Sequence, residues 1–219
     1  NTNDAPTVAN AISDASTDED AAYSLSISNV FTDDDSGDSC TYSMSGAPST
    51  ITLSGTTISG TPVNADVGTH TIVVTCTDGS SASVSDSYVL TVANTNDAPT
   101  VASPIADVST AEDASFSLDV TSSFTDVDSG DTLTYTMSGA PSALSISSGT
   151  ITGSPVNADV GDHSIVVTAT DGSNAAVSDT FVLTVTNTND APTIDSTADT
   201  TAEEDEAYSY TTVASDVDA

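Results

Sequence analysis

The sequence predicts an all-β protein built from tandem seven-stranded β-sandwiches, and three observations carry that prediction. The heptapeptide NTNDAPT occurs at 1–7, 94–100 and 187–193, a period of 93 residues. Within each period, apolar residues alternate with small polar ones, the two-residue rhythm of a half-buried strand. Clusters of Asp, Asn, Ser, Gly and Pro cut each period into about seven such runs, as a sandwich requires. A period this long is a domain array, because solenoid units span only about 20–45 residues.

The strands follow in order. The first is expected at 7–12, directly after the repeated heptapeptide. The second, at 21–28, alternates Tyr23, Leu25 and Ile27, matched one period later by Phe116, Leu118 and Val120. The turn Asp35-Ser36-Gly37-Asp38 leads to the third, at 39–45, where Cys40, Tyr42 and Met44 match Leu133, Tyr135 and Met137. Gly46-Ala47-Pro48 introduces the fourth at 50–53, and Ser59-Gly60-Thr61-Pro62 closes the fifth at 56–60. The β-branched runs Ile72-Val73-Val74 and Tyr88-Val89-Leu90-Thr91-Val92 mark the sixth and seventh, at 69–77 and 86–93, with Asp78-Gly79 turning between them.

Aligning 1–93 with 94–186 needs no gap and leaves about 61 of 93 positions identical. The expected domains are therefore repeat 1 at 1–93, repeat 2 at 94–186 and the start of a truncated third at 187–219. The pairs Tyr23/Phe116, Phe31/Phe124, Tyr42/Tyr135 and Tyr88/Phe181 keep large rings in register, as one core per repeat demands. The chain opens on Asn1-Thr2-Asn3-Asp4, which reads as the interior of a larger protein.

Composition sets the chemistry. The 219 residues include 33 Asp plus Glu and no Lys or Arg, for a net charge of −33. That leaves no basic patch for nucleic-acid phosphates or anionic lipid, and no Arg clamp or P-loop Lys. No apolar run is long enough to insert into a membrane. The carboxylates gather at recurring places: Glu19-Asp20, Glu112-Asp113 and Glu203-Glu204-Asp205; Asp33-Asp34-Asp35 to Asp38, Asp126 to Asp131 and Asp216-Val217-Asp218; Asn64-Ala65-Asp66 and Asn157-Ala158-Asp159; Asp78 and Asp171; and the linker itself. Carboxylates this close repel unless a cation holds them, and the chain supplies none. A hard ion taking six to eight oxygens from Asp, Glu, Asn and backbone carbonyls is Ca²⁺, whereas Mg²⁺ demands stricter geometry and keeps its waters. There is no His/Cys cluster for zinc or copper. The loop from Asp33 lacks the twelfth-position Glu and the helices of an EF-hand.

Asp126-Val127-Asp128-Ser129-Gly130-Asp131 with Tyr135 resembles the D-x-D-x-G-x-N…Y signature of cadherin repeats. Val167-Thr168-Ala169-Thr170-Asp171-Gly172 is similar to their V-x-A-x-D-x-G strand, and Thr184 to Pro192 to their V-x-D-x-N-D-N-x-P linker. The sequence is thus identified as resembling cadherin-like repeats of the dystroglycan type, found in large bacterial surface adhesins. The resemblance implies Greek-key, Ig/cadherin-like sandwiches with calcium where successive repeats meet. It would draw Glu19, Asp66, Asn94, Asn96, Asp97, Asp126, Asp128 and Asp171 to the first joint. It would draw Glu112, Asp159, Asn187, Asn189, Asp190, Asp216 and Asp218 to the second. Asn3, Asp4, Asp33, Asp35 and Asp78 would form half of a joint with an upstream repeat. Asn replaces the usual first linker Asp, and Pro-x-Asn-Ala-Asp-Val-Gly replaces the L-D-R-E motif. Fewer anionic ligands imply the weak end of calcium binding, at about 10⁻⁴–10⁻³ M.

Cys40 and Cys76 fall on inward positions of neighbouring strands in this fold, where repeat 2 has the apolar pair Leu133 and Ala169. A disulfide in an oxidising compartment and two buried thiols are the alternatives, both structural. His70 and His163 match each other at the start of the sixth strand, where a surface or packing role is expected. Acidic pairs that recur once per repeat do not behave like an active site, so no enzyme is expected. The functional expectation is a calcium-rigidified spacer in a large extracellular, adhesin-like protein at the cell surface or secreted. Its partners would be neighbouring repeats of its own chain. The alternatives are a fibre assembled from further copies and a module that binds a glycan or another partner.

Overall fold

The computed structural model describes residues 3–35 and 39–218; Ser36, Gly37 and Asp38 of the expected acidic turn lie outside the described residues. The chain divides into two compact units, Asn1–Asn96 and Asp97–Ala219. Among the described residues the only helical elements are three 3₁₀ turns, and no helix is long and apolar enough to cross a membrane.

In the first unit the strands are β1 (Thr7–Val8), β2 (Ala15–Asp18), β3 (Tyr23–Ser26), β4 (Phe31–Thr32), β5 (Thr41–Ser45), β6 (Ile51–Ser54), β7 (Thr57–Gly60), β8 (Gly68–Thr77) and β9 (Ser83–Ala93). A four-stranded sheet runs β2-β9-β8-β5 and a three-stranded sheet runs β3-β7-β6, with β1 and β4 forming a separate pair. Every pairing is antiparallel except β2 on β9. The alternation in the sequence sends Ile72, Val74 and Cys76 inward from β8 and Tyr88, Leu90 and Val92 inward from β9. They meet Tyr23, Ile51 and Ile58 of the other sheet in one core.

The second unit repeats this plan with β10 (Thr100–Val101), β11 (Val108–Ala111), β12 (Phe116–Asp119), β13 (Phe124–Thr125), β14 (Thr134–Ser138), β15 (Leu144–Ser147), β16 (Thr150–Gly153), β17 (Gly161–Thr170) and β18 (Ala176–Thr186). Its sheets run β11-β18-β17-β14 and β12-β16-β15. Phe116, Ile151, Ile165, Phe181 and Leu183 take the matched core positions. Phe31 leans on Tyr42 and Phe124 on Tyr135 with ring centroids 6.0 Å apart in both units. The same unit carries β19 (Thr193–Ile194) and β20 (Ala214–Ser215), which pair as β1 and β4 do. Gly46 turns the chain out of β5 at φ +79°, and a Cβ there would sit 2.2 Å from the Thr71 carbonyl oxygen. Gly139 repeats this against Ser164. Only glycine fits such a site.

One expectation needs correction. The strand expected at 7–12 is confined to β1 at Thr7–Val8, while β2 at Ala15–Asp18, on a different sheet, and the short β4 are additional elements. The chain leaves β1 because Ala9 and Asn10 both donate to the Val30 carbonyl, which ends the pairing. Asp86 Oδ2 then accepts the Ile12 N–H at 2.6 Å, and Asp14 Oδ1 accepts the Val89 N–H at 2.8 Å. These carboxylates satisfy backbone groups that the crossing would orphan. Asp179 and Asp107 do the same for Ile105 and Val182.

Candidate metal centre

One acidic group of the second unit gathers around Glu112. Glu112 directly follows β11, and its backbone N–H donates to the Thr186 carbonyl at the end of β18, which turns the side chain toward the linker. Glu112 Oε1 accepts the Thr188 N–H at 2.7 Å. Its Oε2 is enclosed without a hydrogen-bond partner, on a residue only 2% exposed. A buried carboxylate oxygen left so is costly unless something positive meets it.

Around it stand the start of the third repeat and its linker. The Asp190 N–H donates to Asp218 Oδ2, and the Asp218 N–H donates to Asp216 Oδ1 at 3.0 Å. Asn157 points its amide at Asp218 Oδ1 (3.4 Å) and Asn187 Oδ1 (3.5 Å). Burial foremost, and then the negative charges of Asp218, Asp113, Glu112 and Asp216, push the Asp190 carboxyl above the ordinary aspartate range. Glu112, Asn187, Asp190, Asp216 and Asp218 are therefore brought together as expected from the sequence. Two others make bonds of their own. Asn189 donates to the Asp190 carbonyl, and Asp159 uses Oδ2 to accept the Val156 N–H at 3.0 Å. Asp113, held at φ +58°, joins the group although the sequence pattern gave it no part.

At the start of the same unit the Asp97 N–H donates to Asp128 Oδ2 at 2.8 Å, and the Asp128 N–H to Asp126 Oδ1 at 2.9 Å. Asp126, Asp128 and Asp131 each offer an oxygen within 4.8 Å of the others, and Asp126 Oδ2 is enclosed without a partner. Asp171 directly follows β17 and precedes Gly172, over which Asp131 reaches; Asp171 Oδ1 accepts the N–H groups of Ser173 and Ala175. Asp131 stands in the acidic loop but outside the expected ligand set. Its signal was the missing side chain at Gly172, legible only once the loop and the strand end are placed together.

The first unit builds the same constellations. At its start Asn3 donates to Asp78 Oδ2 (3.0 Å), the Asp4 N–H to Asp35 Oδ2 (2.7 Å) and the Asp35 N–H to Asp33 Oδ1 (2.9 Å). Asp33 Oδ2 is enclosed without a partner. The Asn3 amide foremost, with the N–H groups of Ala82, Ser80 and Ser81, holds the Asp78 carboxyl below its ordinary range against the opposing effect of burial. At its end Glu19 repeats Glu112: Oε1 accepts the Thr95 N–H at 2.8 Å and Oε2 is enclosed and unpartnered. Asp66 Oδ2 accepts from Val63 N–H and from Thr50 Oγ1, while Asn94 and Asn96 continue exposed from β9.

These groups offer carboxylate oxygens and, at Asn3, Asn157 and Asn187, amide oxygens, all hard donors, and Glu19, Asp33, Glu112 and Asp126 each hold an enclosed oxygen without a hydrogen-bond partner. The donor set fits Ca²⁺ by its chemistry. Cys40 and Cys76 are joined in a disulfide, which fastens the residue before β5 to the end of β8, two residues before Asp78.

The family described as "Putative Ig domain" (He_PIG) matches residues 5–93 and again 98–186. No curated protein matches the chain. Among solved structures, mouse cadherin-23 EC22-24 is similar over 85% of this chain and 65% of that one, at 20% identity and TM-score 0.58. Human mucin-like protocadherin EC1-2 is similar over 84% of this chain and 98% of that one, at 18% identity and TM-score 0.59. An endo-fucoidan hydrolase of glycoside hydrolase family 107 aligns at 24% identity and TM-score 0.40 over 84% of this chain. The chain spans only 29% of that hydrolase and 65% of the cadherin-23 fragment. At these identities the likenesses to the two cadherins speak for the fold.

Proposed function

The chain belongs to the Ig domain family He_PIG, in two tandem copies, and on that premise we propose that it is a calcium-rigidified spacer of a larger extracellular, adhesin-like surface protein. The observation that carries this reading is the enclosed, unpartnered Oε2 of Glu112, in a group where burial foremost, and then the neighbouring negative charges, raise the Asp190 carboxyl. Two unit charges 4 Å apart repel by about 1 kcal/mol in water and about 4 kcal/mol near a protein surface. Several such pairs in one place make the linker end of a repeat self-repelling without a cation. Calcium, where bound, supplies the missing positive charge.

Glu112 and Asp190 would contribute charge, with Asn187, Asp216 and Asp218 completing the oxygen set. Asp113 would add to the negative field. Within the first unit, Glu19 and Asn94 stand one 93-residue period before Glu112 and Asn187. The role is mechanical: calcium converts a tethered string of sandwiches into a stiff one that holds a distal domain away from its anchor. No catalysis is assigned, because the acidic groups recur with the repeat rather than once per protein.

Small-angle scattering and thermal melting of this chain in calcium, then in EDTA, test the reading. Calcium is expected to raise the melting temperature and chelation to shorten the maximum dimension. A ligand at about ten times its Kd stabilises by about 1.4 kcal/mol, enough for a clear shift. Profiles and melting curves that ignore chelation would overturn it.

A further inference from the structure

The calcium reading leaves the two histidines without a task. His163 is the third residue of β17 and half-buried, and its Nε2 lies 2.7 Å from the Asp159 carbonyl oxygen. A carbonyl only accepts, so Nε2 carries the proton. His70 makes the same 2.7 Å bond to the Asp66 carbonyl in the first unit.

The segment so held is a single 3₁₀ turn, Asn157–Asp159, closed by Asp159 N–H on the Val156 carbonyl (2.7 Å) and Val160 N–H on the Asn157 carbonyl (3.2 Å). Gly161 follows at φ +130°, a backbone state open chiefly to glycine, so the turn joins its strand through a permissive link. The His163 bond spans that link. In the first unit Thr50 Oγ1 also ties Asp66 Oδ2, at 2.6 Å. Repeat 2 has Ala143 at the matched position and no such hydroxyl, so its turn depends more on the histidine. The turn presents Asn157, whose amide reaches Asp218 and Asn187 inside the acidic group.

We infer that His163 is a positioning residue for the candidate metal centre: by holding the Asp159 carbonyl it fixes the turn that sets Asn157 against Asp218. The bond carries no charge to the centre; it limits where the turn can stand. His70 holds the equivalent turn of repeat 1, with Thr50 sharing the work. This rests on the calcium reading.

Two substitutions in the whole chain separate positioning from packing. His163→Leu fills similar space without a donor, and His163→Gln returns an N–H at about the same reach. Amide exchange at Asp159 and Val160, measured in EDTA, reads the turn, and calcium titration reads the centre. His163→Leu is expected to speed exchange at both amides and weaken calcium about five-fold, the worth of one net hydrogen bond. His163→Gln should recover most of both, and His70→Leu should do less than His163→Leu. Unchanged exchange in His163→Leu, or a Gln variant no better than Leu, overturns the role. A wild type that binds no calcium while the exchange contrast persists overturns the calcium reading, and reduces His163 to a brace of its turn.

Discussion

The hydroxyls of Tyr23 and Tyr88 lie 3.3 Å apart in the core of the first unit, and the second unit has Phe116 and Phe181 in their places. The two hydroxyls therefore come and go together. Burial foremost, and then the bond to Tyr23, push the Tyr88 hydroxyl far above its ordinary pKa, so it stays a neutral partner. Removing one hydroxyl leaves the other without its mate, whereas removing both reproduces what repeat 2 already does. Tyr23→Phe is expected to cost about 1–3 kcal/mol, because Tyr88 is only 2% exposed and cannot turn to water. Tyr88→Phe should cost less, since Tyr23 is 9% exposed. The double Phe variant should return to within about 0.5 kcal/mol of wild type. Urea unfolding of the three variants checks the coupling.

A second substituted pair is Cys40–Cys76. The bond closes a loop with a sequence separation of 36, for which the chain-entropy estimate is about 4 kcal/mol. Thiol reductant should lower the melting transition of the first unit and leave that of the second in place. Cys40→Leu with Cys76→Ala installs the Leu133/Ala169 pair and should lose less than a double Ser variant, which puts hydroxyls where Cys76 is fully buried.

The sheets and the core were legible because they rest on alternation and on identity between repeats. Residues such as Ile72 and Ile165, or Leu90 and Leu183, announce an inward face twice. The strand β2 at Ala15–Asp18 was not legible, because the crossing that leads to it is held by Asp86 and Asp14 accepting N–H groups 74 and 75 residues away in sequence. To a sequence reading those acids are solvated strand positions. The acidic groups were legible as clusters, but which oxygen of Asp159 caps its own turn, and that the charge of Asp113 acts on Asp190, depend on backbone angles that residue type alone does not fix.

Those carboxylates at the crossing make a direct test. Asp86→Ala should leave the Ile12 N–H unsatisfied at a buried residue and cost about 1–3 kcal/mol, with Asp179→Ala matching it in the second unit. Asn at either site keeps an acceptor and should cost less. Neither change touches the acidic groups, so the calcium-dependent rise in melting temperature should survive. Chemical denaturation with and without calcium measures both.

Glu112 distinguishes charge from structure. Glu112→Gln keeps an oxygen for the Thr188 N–H and removes the enclosed negative charge. In EDTA it should melt no lower than wild type, since it relieves repulsion within the group. In calcium it should lose most of the stabilisation that wild type gains. Paired melting curves decide, and a variant that responds to calcium as fully as wild type would contradict the assignment of Glu112.

Acidity should act oppositely on the two states of the centre, and the sign follows from Asp190. Its carboxyl titrates above the ordinary 3.8 in the folded chain, so the folded form binds its proton more readily than the unfolded. Without calcium that linkage favours the folded linker fully at pH below the unfolded value, and the advantage is lost as pH rises through the raised one. Mild acidification in EDTA should therefore slow amide exchange at Asp190, whose N–H is held by Asp218, once the intrinsic pH dependence of exchange is divided out. With calcium the order reverses, because a proton on Asp190 displaces charge the ion needs, and affinity should fall as pH drops through the same range. Exchange and calcium titrations run from the ordinary aspartate range upward toward neutrality test both arms. A calcium affinity flat over that window would remove Asp190 from the ligand set, while protection that fails to increase on acidification in EDTA would remove the repulsion argued for the apo state.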